Sequence, residues 1–111
     1  MKYVSQPCTK SVHIGDIWLA KFIYIEGSNY GKLRPVLIKD FDDDNEMIKV
    51  QMITTKDNKR YSQKKKIPFK LVKKDERCSY LVDRYEYIPR EYLFRRMKSC
   101  EEIKRYKLNE D

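Results

Sequence analysis

Apolar residues alternate with polar ones in short runs along most of the chain, the two-residue period of β-strands rather than the helical period. IGDIWLAKF (14–22) reads as a strand around Ile17, Leu19 and Phe22. PVLIKDF (35–41) reads as a second, with its proline at the start, where a missing N–H is tolerated. MIKVQMITT (47–55) is a third, with Ile48, Val50 and Met52 on one face. IPFKLV (67–72) and CSYLVDRYEYI (78–88) follow as further strands, and EYLFRRM (91–97) reads as a last strand in preference to a helical turn.

The segments between these runs carry turn and loop residues. Residues 23–34 form a loop holding Gly27, Ser28, Asn29 and Gly31, and DDDNE (42–46) is a turn. KDNKRYSQKKK (56–66) is a strongly cationic loop, and KKDER separates the two strands that follow it. The tail changes period: Ser99 and Glu102 have the spacing of a capping box, followed by helical spacing through Ile103, Tyr106 and Lys107. Closure removes exposed sheet edges, so short strands of this kind favour a barrel. The expected fold is mainly β with a small C-terminal helix, a compact, mostly antiparallel SH3-like barrel. It comprises one domain over 1–111: a loose arm at 1–13, the barrel at 14–98 and the helix at 99–108.

Composition narrows the partners. The 111 residues include 25 Lys+Arg against 17 Asp+Glu, a formal charge of +8, and 41% are apolar, enough for one modest core. The charge favours nucleic acid first, an acidic protein second and an anionic membrane third. Nine tyrosines fit strands that pack on a sheet, and aromatic faces interleaved with Lys and Arg can also stack bases. Cys8, Cys78 and Cys100 are odd in number and far apart, which fits unpaired thiols in a reducing cytoplasm. The N-terminal segment lacks a signal-peptide pattern, and no apolar run reaches membrane-spanning length, so the expectation is a cytoplasmic protein without a membrane partner.

Most catalytic chemistries find little support. His13 is the single histidine, and a solvated or capping role suits it better than metal ligation or a catalytic triad. DFDDDNE (40–46) lacks the spacing of a calcium loop, and GSNYG (27–31) lacks that of a nucleotide-binding loop. Neither a metal nor a cofactor is expected. Phosphate chemistry by guanidinium and hydroxyl remains: an arginine fork matches two phosphate oxygens. A hairpin about the DDDNE turn brings Arg34 at the start of one strand to Thr54 at the end of the next. Arg34 follows a glycine-bearing loop and precedes Pro35, which biases it to an extended conformation.

The run Gly15-Asp-Ile-Trp-Leu-Ala, a glycine-bearing loop, Arg34-Pro-Val-Leu-Ile and then Ile53-Thr54 together resemble the MazF/PemK family of toxin endoribonucleases. The likeness is clear over residues 14–55 and looser through 79–88 and the Ser-capped helix. It implies an SH3-like barrel, a homodimer, metal-independent cleavage of single-stranded RNA at short sequences, and a cognate antitoxin protein. It makes Arg34, Thr54 and Asp83 the catalytic candidates, with Arg34 on the phosphate, Thr54 orienting, and Asp83 or solvent taking the proton. Ser28, Asn29, Tyr30, Lys32, Thr55, Lys56, Lys59, Arg60 and Arg84 become candidates for contacting RNA. The sequence departs from the family pattern at Leu81, where relatives with an acidic residue at the Asp83 position carry arginine, and at Ser28-Asn-Tyr-Gly31, where many have glutamate, glutamine or histidine. The basic loop after Thr54 is either part of an RNA groove or a solvated loop. The competing reading is a non-catalytic RNA- or protein-binding barrel.

Overall fold

A computed structural model describes residues 12–23, 31–42, 44, 46–55, 64–71 and 78–108. Six strands form one antiparallel sheet: β1 (Ile17–Ile23), β2 (Gly31–Phe41), β3 (Met47–Thr54), β4 (Lys64–Lys66), β5 (Tyr80–Pro89) and β6 (Leu93–Lys98). Their order across the sheet is β4-β5-β3-β2-β1-β6. A short helix, α1 (Cys100–Ile103), and a 3-10 turn at Lys104–Tyr106 follow. The chain is therefore mainly β and antiparallel with a small C-terminal helix, as its hydrophobic pattern predicts. Among the described residues no helix is long and apolar enough to cross a membrane.

Both faces of the sheet are apolar, and each has its own core. The inner face gathers Trp18, Ala20 and Phe22 of β1, Val36 and Ile38 of β2, Ile48, Val50 and Met52 of β3, and Val82 and Ile88 of β5. These residues come from the sheet itself, with Val12, Leu93 and partly buried Phe41 and Tyr92 beside them. Such a face can be buried only if the sheet curls until its own strands meet, which is the barrel-like closure expected of short antiparallel strands. The outer face buries Ile17, Leu37, Ile53 and Leu81 beneath Ile103 and Leu108 of the tail and Ile67 of the segment after β4.

Strand limits differ from the sequence reading in informative places. β1 begins at Ile17 rather than at 14, because Ile14 and Gly15 make a turn, with Gly15 at φ 98°. β2 begins at Gly31, so Lys32, Leu33 and Arg34 belong to a strand and not to a loop. The β1 ladder holds them, pairing Phe22 with Lys32, Lys21 with Leu33 and Ala20 with Arg34. Pro35 is consequently inside the strand. The Ile38 N–H donates to Asp16 O on the β1 side, so the period of two aims position 35 toward β3. The β2–β3 ladder ends one residue past it, at Val36↔Met52, where the missing N–H breaks no rung.

Residues 67–71, the described part of the segment expected as a strand over 67–72, are not a strand. The strand is Lys64–Lys66, inside the segment read as a cationic loop, and Ile67 N–H to Ser79 O (2.8 Å) is its last rung. Pro68 has no donor with which to continue, and Ile67, Phe69 and Leu71 pack against the outer core instead. The segment at 91–97 holds both of its alternatives, a 3-10 turn at Arg90–Tyr92 followed by β6. The DDDNE hairpin forms, with Asp42 N–H donating to Met47 O at 3.0 Å.

Asp16 joins the turn, the sheet and the tail. It is fully buried. Its Oδ2 accepts from His13 N–H at 2.9 Å and from Trp18 Nε1–H at 3.2 Å, while Oδ1 accepts from Cys100 N–H at 2.6 Å. The capping box at the helix start is complete: Ser99 Oγ accepts from Glu102 N–H at 3.2 Å, and Glu102 Oε1 accepts from Ser99 N–H at 2.9 Å.

Replacing Asp16 by Ala orphans the Trp18 and Cys100 donors together. At about 1–3 kcal/mol for each buried unsatisfied group, Asp16→Ala is expected to lower stability by about 3 kcal/mol in urea denaturation, and Asp16→Asn by less. The bonds from Ser99, backbone first and then side chain, hold the Glu102 carboxyl below its usual pKa. The folded-state pKa is thus depressed, so the box contributes fully above the unfolded value and loses its contribution as pH falls through the folded one. An NMR titration of Glu102 should show a midpoint that rises toward the ordinary carboxylate value in Ser99→Ala.

Candidate functional site

Register brings the two main candidates to one place. Carried two residues beyond Val36↔Met52, the β2–β3 pairing sets Arg34 across from Thr54. Strand alternation puts Arg34 in step with Val36 and Thr54 in step with Met52, at the rim of the inner face. Both are half-buried. The same line runs on across the sheet, because Thr54 pairs with Tyr80 of β5 and Tyr80 pairs with Lys66 of β4. Four strands therefore contribute a row of Arg34, Thr54, Tyr80 and Lys66 along one rim, with exposed Lys32 two residues from Arg34. Tyr80 is absent from the sequence-based candidates, and Lys66 entered them only as one cation of the basic loop after Thr54. Lys66 was hidden in a segment read as loop, and no local signal distinguishes Tyr80 from its neighbours.

Asp83 and Arg84 sit in an irregular part of β5, where the pairing steps from Ile53↔Leu81 to Gln51↔Tyr85. Both are exposed. Alternation sets Asp83 in step with Leu81 and Tyr85, which belong to the outer side, while Arg84 is in step with Val82. Arg84 Nη2 lies 2.9 Å from Glu86 Oε2. Thr55 follows β3 and is half-buried. Ser28, Asn29, Tyr30, Lys56, Lys59 and Arg60 lie outside the described residues.

A guanidinium, two hydroxyls and an ammonium in one line offer donors throughout, which suits an anion with several oxygens. Among the described residues no three His, Cys, Asp or Glu side chains gather to hold a metal ion. A cavity of about 310 Å³ lies elsewhere, beneath the tail, between Ile14, Gly15, Cys100, Ile103, Lys104 and Leu108. It shares no residue with the row.

The resemblance read from the amino-acid pattern agrees with a family comparison. The model of the PemK-like, MazF-like toxins of type II toxin–antitoxin systems matches residues 13–110. The chain belongs to that family. Toxins of the PemK-like family are endoribonucleases, and the family implies an RNA substrate and an antitoxin partner. The match takes in all six strands and the capped tail, so Asp16, Arg34, Thr54 and Tyr80 all fall within the family domain. No curated protein matches the chain.

Cys100 borders the cavity and is half-buried. Burial first, and then the Asp16 carboxyl group beside it, push its thiol pKa up. A raised pKa leaves less thiolate at a given pH, and the thiolate is the nucleophile. Cys100 is therefore expected to react with iodoacetamide several-fold more slowly than a free thiol at pH 8. Peptide mapping reads that rate, and Asp16→Asn should increase it.

Proposed function

We propose that this toxin cleaves single-stranded RNA at short sequences, without a metal ion, through the RNA's own 2′-hydroxyl. The observation that carries the reading is the register that sets Arg34 opposite Thr54 on one rim of the sheet. In the reaction the 2′-oxygen attacks the adjacent phosphorus, the bond from phosphorus to the 5′-oxygen breaks, and a 2′,3′-cyclic phosphate and a 5′-hydroxyl result. The 2′-proton leaves to a base and a proton reaches the departing 5′-oxygen. The protein's tasks are to hold the sugar and phosphate in line and to stabilise the charge that builds on the phosphoryl oxygens.

Arg34 suits the phosphate. Its fork is always charged, and its backbone is fixed in the β1–β2 ladder rather than in a loop. Thr54 offers a hydroxyl to orient the sugar–phosphate, and Lys66 and Tyr80 extend the grip along the strand of RNA. A guanidinium holds its protons too firmly to serve as a base, so the 2′-proton goes to solvent, or to Asp83 if the RNA reaches round the rim to the outer side on which Asp83 stands. Lys32, Thr55 and Arg84, with Ser28, Asn29, Tyr30, Lys56, Lys59 and Arg60 from the flanking segments, contact the RNA on either side. The toxin acts in the cytoplasm as a homodimer, arrests growth by cutting RNA, and is neutralised by its cognate antitoxin. The formal charge of +8 supports an anionic substrate and an acidic partner alike.

The test is cleavage of a long unstructured RNA in EDTA. Wild-type protein is expected to leave 2′,3′-cyclic phosphate ends. Removing a charge-stabilising donor typically costs about 10²–10³ in rate, so Arg34→Ala should cut at least that much more slowly while still binding RNA. A single 2′-deoxy nucleotide at the cleavage site should abolish cutting there. RNA left uncut by wild-type protein in EDTA, or cut equally well by Arg34→Ala, overturns the assignment.

A further inference from the structure

We infer that the open half of the outer sheet face, carried by Tyr85, Tyr87 and Lys49, is a second nucleic-acid contact, a platform on which bases of single-stranded RNA stack. The RNA identity of the strand rests on the function proposed above; the stacking chemistry does not.

The described aromatic side chains mostly have structural duties. Trp18 is buried and bonded to Asp16, Phe22 meets Tyr92 edge-on at 6.3 Å, and Phe69 packs on Tyr106 at 5.0 Å. Tyr85 and Tyr87 do not share that fate: they are 44% and 59% exposed. The ladder pairs Tyr85 with Gln51 and Tyr87 with Lys49, while the alternate β3 positions Ile48, Val50 and Met52 fill the inner core. The two tyrosines therefore stand on the outer face, beyond the area that the tail covers through Ile53 and Leu81.

The spacing suits stacked bases. Residues two apart on a strand project from one face about 6.8 Å apart. That is about twice the 3.4 Å rise of one nucleotide along a stacked strand. Lys49 supplies the cation, its Nζ 5.3 Å from the centre of the Tyr85 ring. Gln51 donates through Nε2 to Val82 O at 3.0 Å, which fixes its amide and leaves Oε1 as an acceptor for a base edge. Two carboxyl groups border this face: Asp83, two residues before Tyr85 on β5, and Asp40, paired with Lys49 across β2–β3, whose Oδ1 accepts from Phe41 N–H. Two exposed rings, one with a cation over one of its faces, and a neighbouring amide match a π-faced, phosphate-bearing chain better than an apolar protein surface.

Binding of a fluorescent 2′-O-methyl oligonucleotide, which no 2′-hydroxyl mechanism can cut, tests the platform by anisotropy without reference to catalysis. Alanine at a stacking position typically weakens binding by about five-fold or more, so Tyr85→Ala and Tyr87→Ala should each lose at least that, while Tyr85→Phe and Tyr87→Phe stay close to wild type. Lys49→Ala should reduce the slope of log affinity against log salt by about 0.7. Wild-type affinity in the double alanine variant overturns the proposal. So does equal loss in the alanine and phenylalanine variants, or loss that accompanies a change in sedimentation, which would make the face a contact between subunits. Tyrosine-dependent binding by a protein that cuts no RNA would leave the platform standing and remove the nuclease; cleavage with no such dependence would do the reverse.

Discussion

A single buried carboxyl group ties this fold together. Asp16 belongs to no strand, yet its oxygens bond the turn before β1, the indole of Trp18 in the inner core and the first N–H of the C-terminal helix. Its backbone adds a further tie, since its carbonyl accepts from Ile38 N–H of β2. A polar group in such a place is costly unless its lone pairs are used. Here they are used by elements 84 residues apart in sequence. The helix is only four residues long, too short to persist alone, and Asp16 supplies one of its anchors while Ile103 and Leu108 supply the apolar ones.

That tie matters because the sheet is apolar on both sides. Ordinary strand register is policed by burial: slipping one residue exposes the whole apolar set. With Ile17 and Leu37 facing one core and Trp18, Val36 and Ile38 the other, a slip would exchange one apolar set for another. Burial alone discriminates less between these alternatives. The polar fixtures restore the discrimination, since Asp16 reaches Trp18 and Cys100 in one register only. The rim is downstream of this choice. Two ladders line up Thr54, Tyr80 and Lys66, and the β2–β3 register, carried two residues past its last pair, brings Arg34 to the same line.

Much of this was legible in the chain, for reasons that can be named. The period of two in residues 47–55 fixes Ile48, Val50 and Met52 on one face, and the Ser99–Glu102 spacing fixes a cap, because both signals are local. The Arg34–Thr54 neighbourhood was legible because a hairpin turn fixes what lies across from what. Tyr80 and Lys66 were not, since their place depends on β5 inserting between β3 and β4, a pairing no local pattern encodes. Lysine triplets read as loops by composition, and Lys64–Lys66 is a strand only because β5 offers it a ladder. The C-terminal segment was over-read in the other direction: helical spacing through Lys107 shortens to four α-helical residues and a 3-10 turn, with Lys107 itself left-handed at φ 55°.

Pro35 carries a consequence for how the rim meets a ligand. Any other residue at that position would bring an N–H directed at β3, and the two strands could zip onward toward Arg34 and Thr54. The covalent ring removes that donor and leaves only the carbonyl of Pro35 to accept across the seam. The weaker pairing where the β2–β3 ladder ends, at Val36↔Met52, is thus written into the chain. A phosphate held there, as proposed above, would meet strand ends that lack one of their possible cross-strand bonds. Less free energy would then go to parting the strands, and more would be left for the contact with the guanidinium.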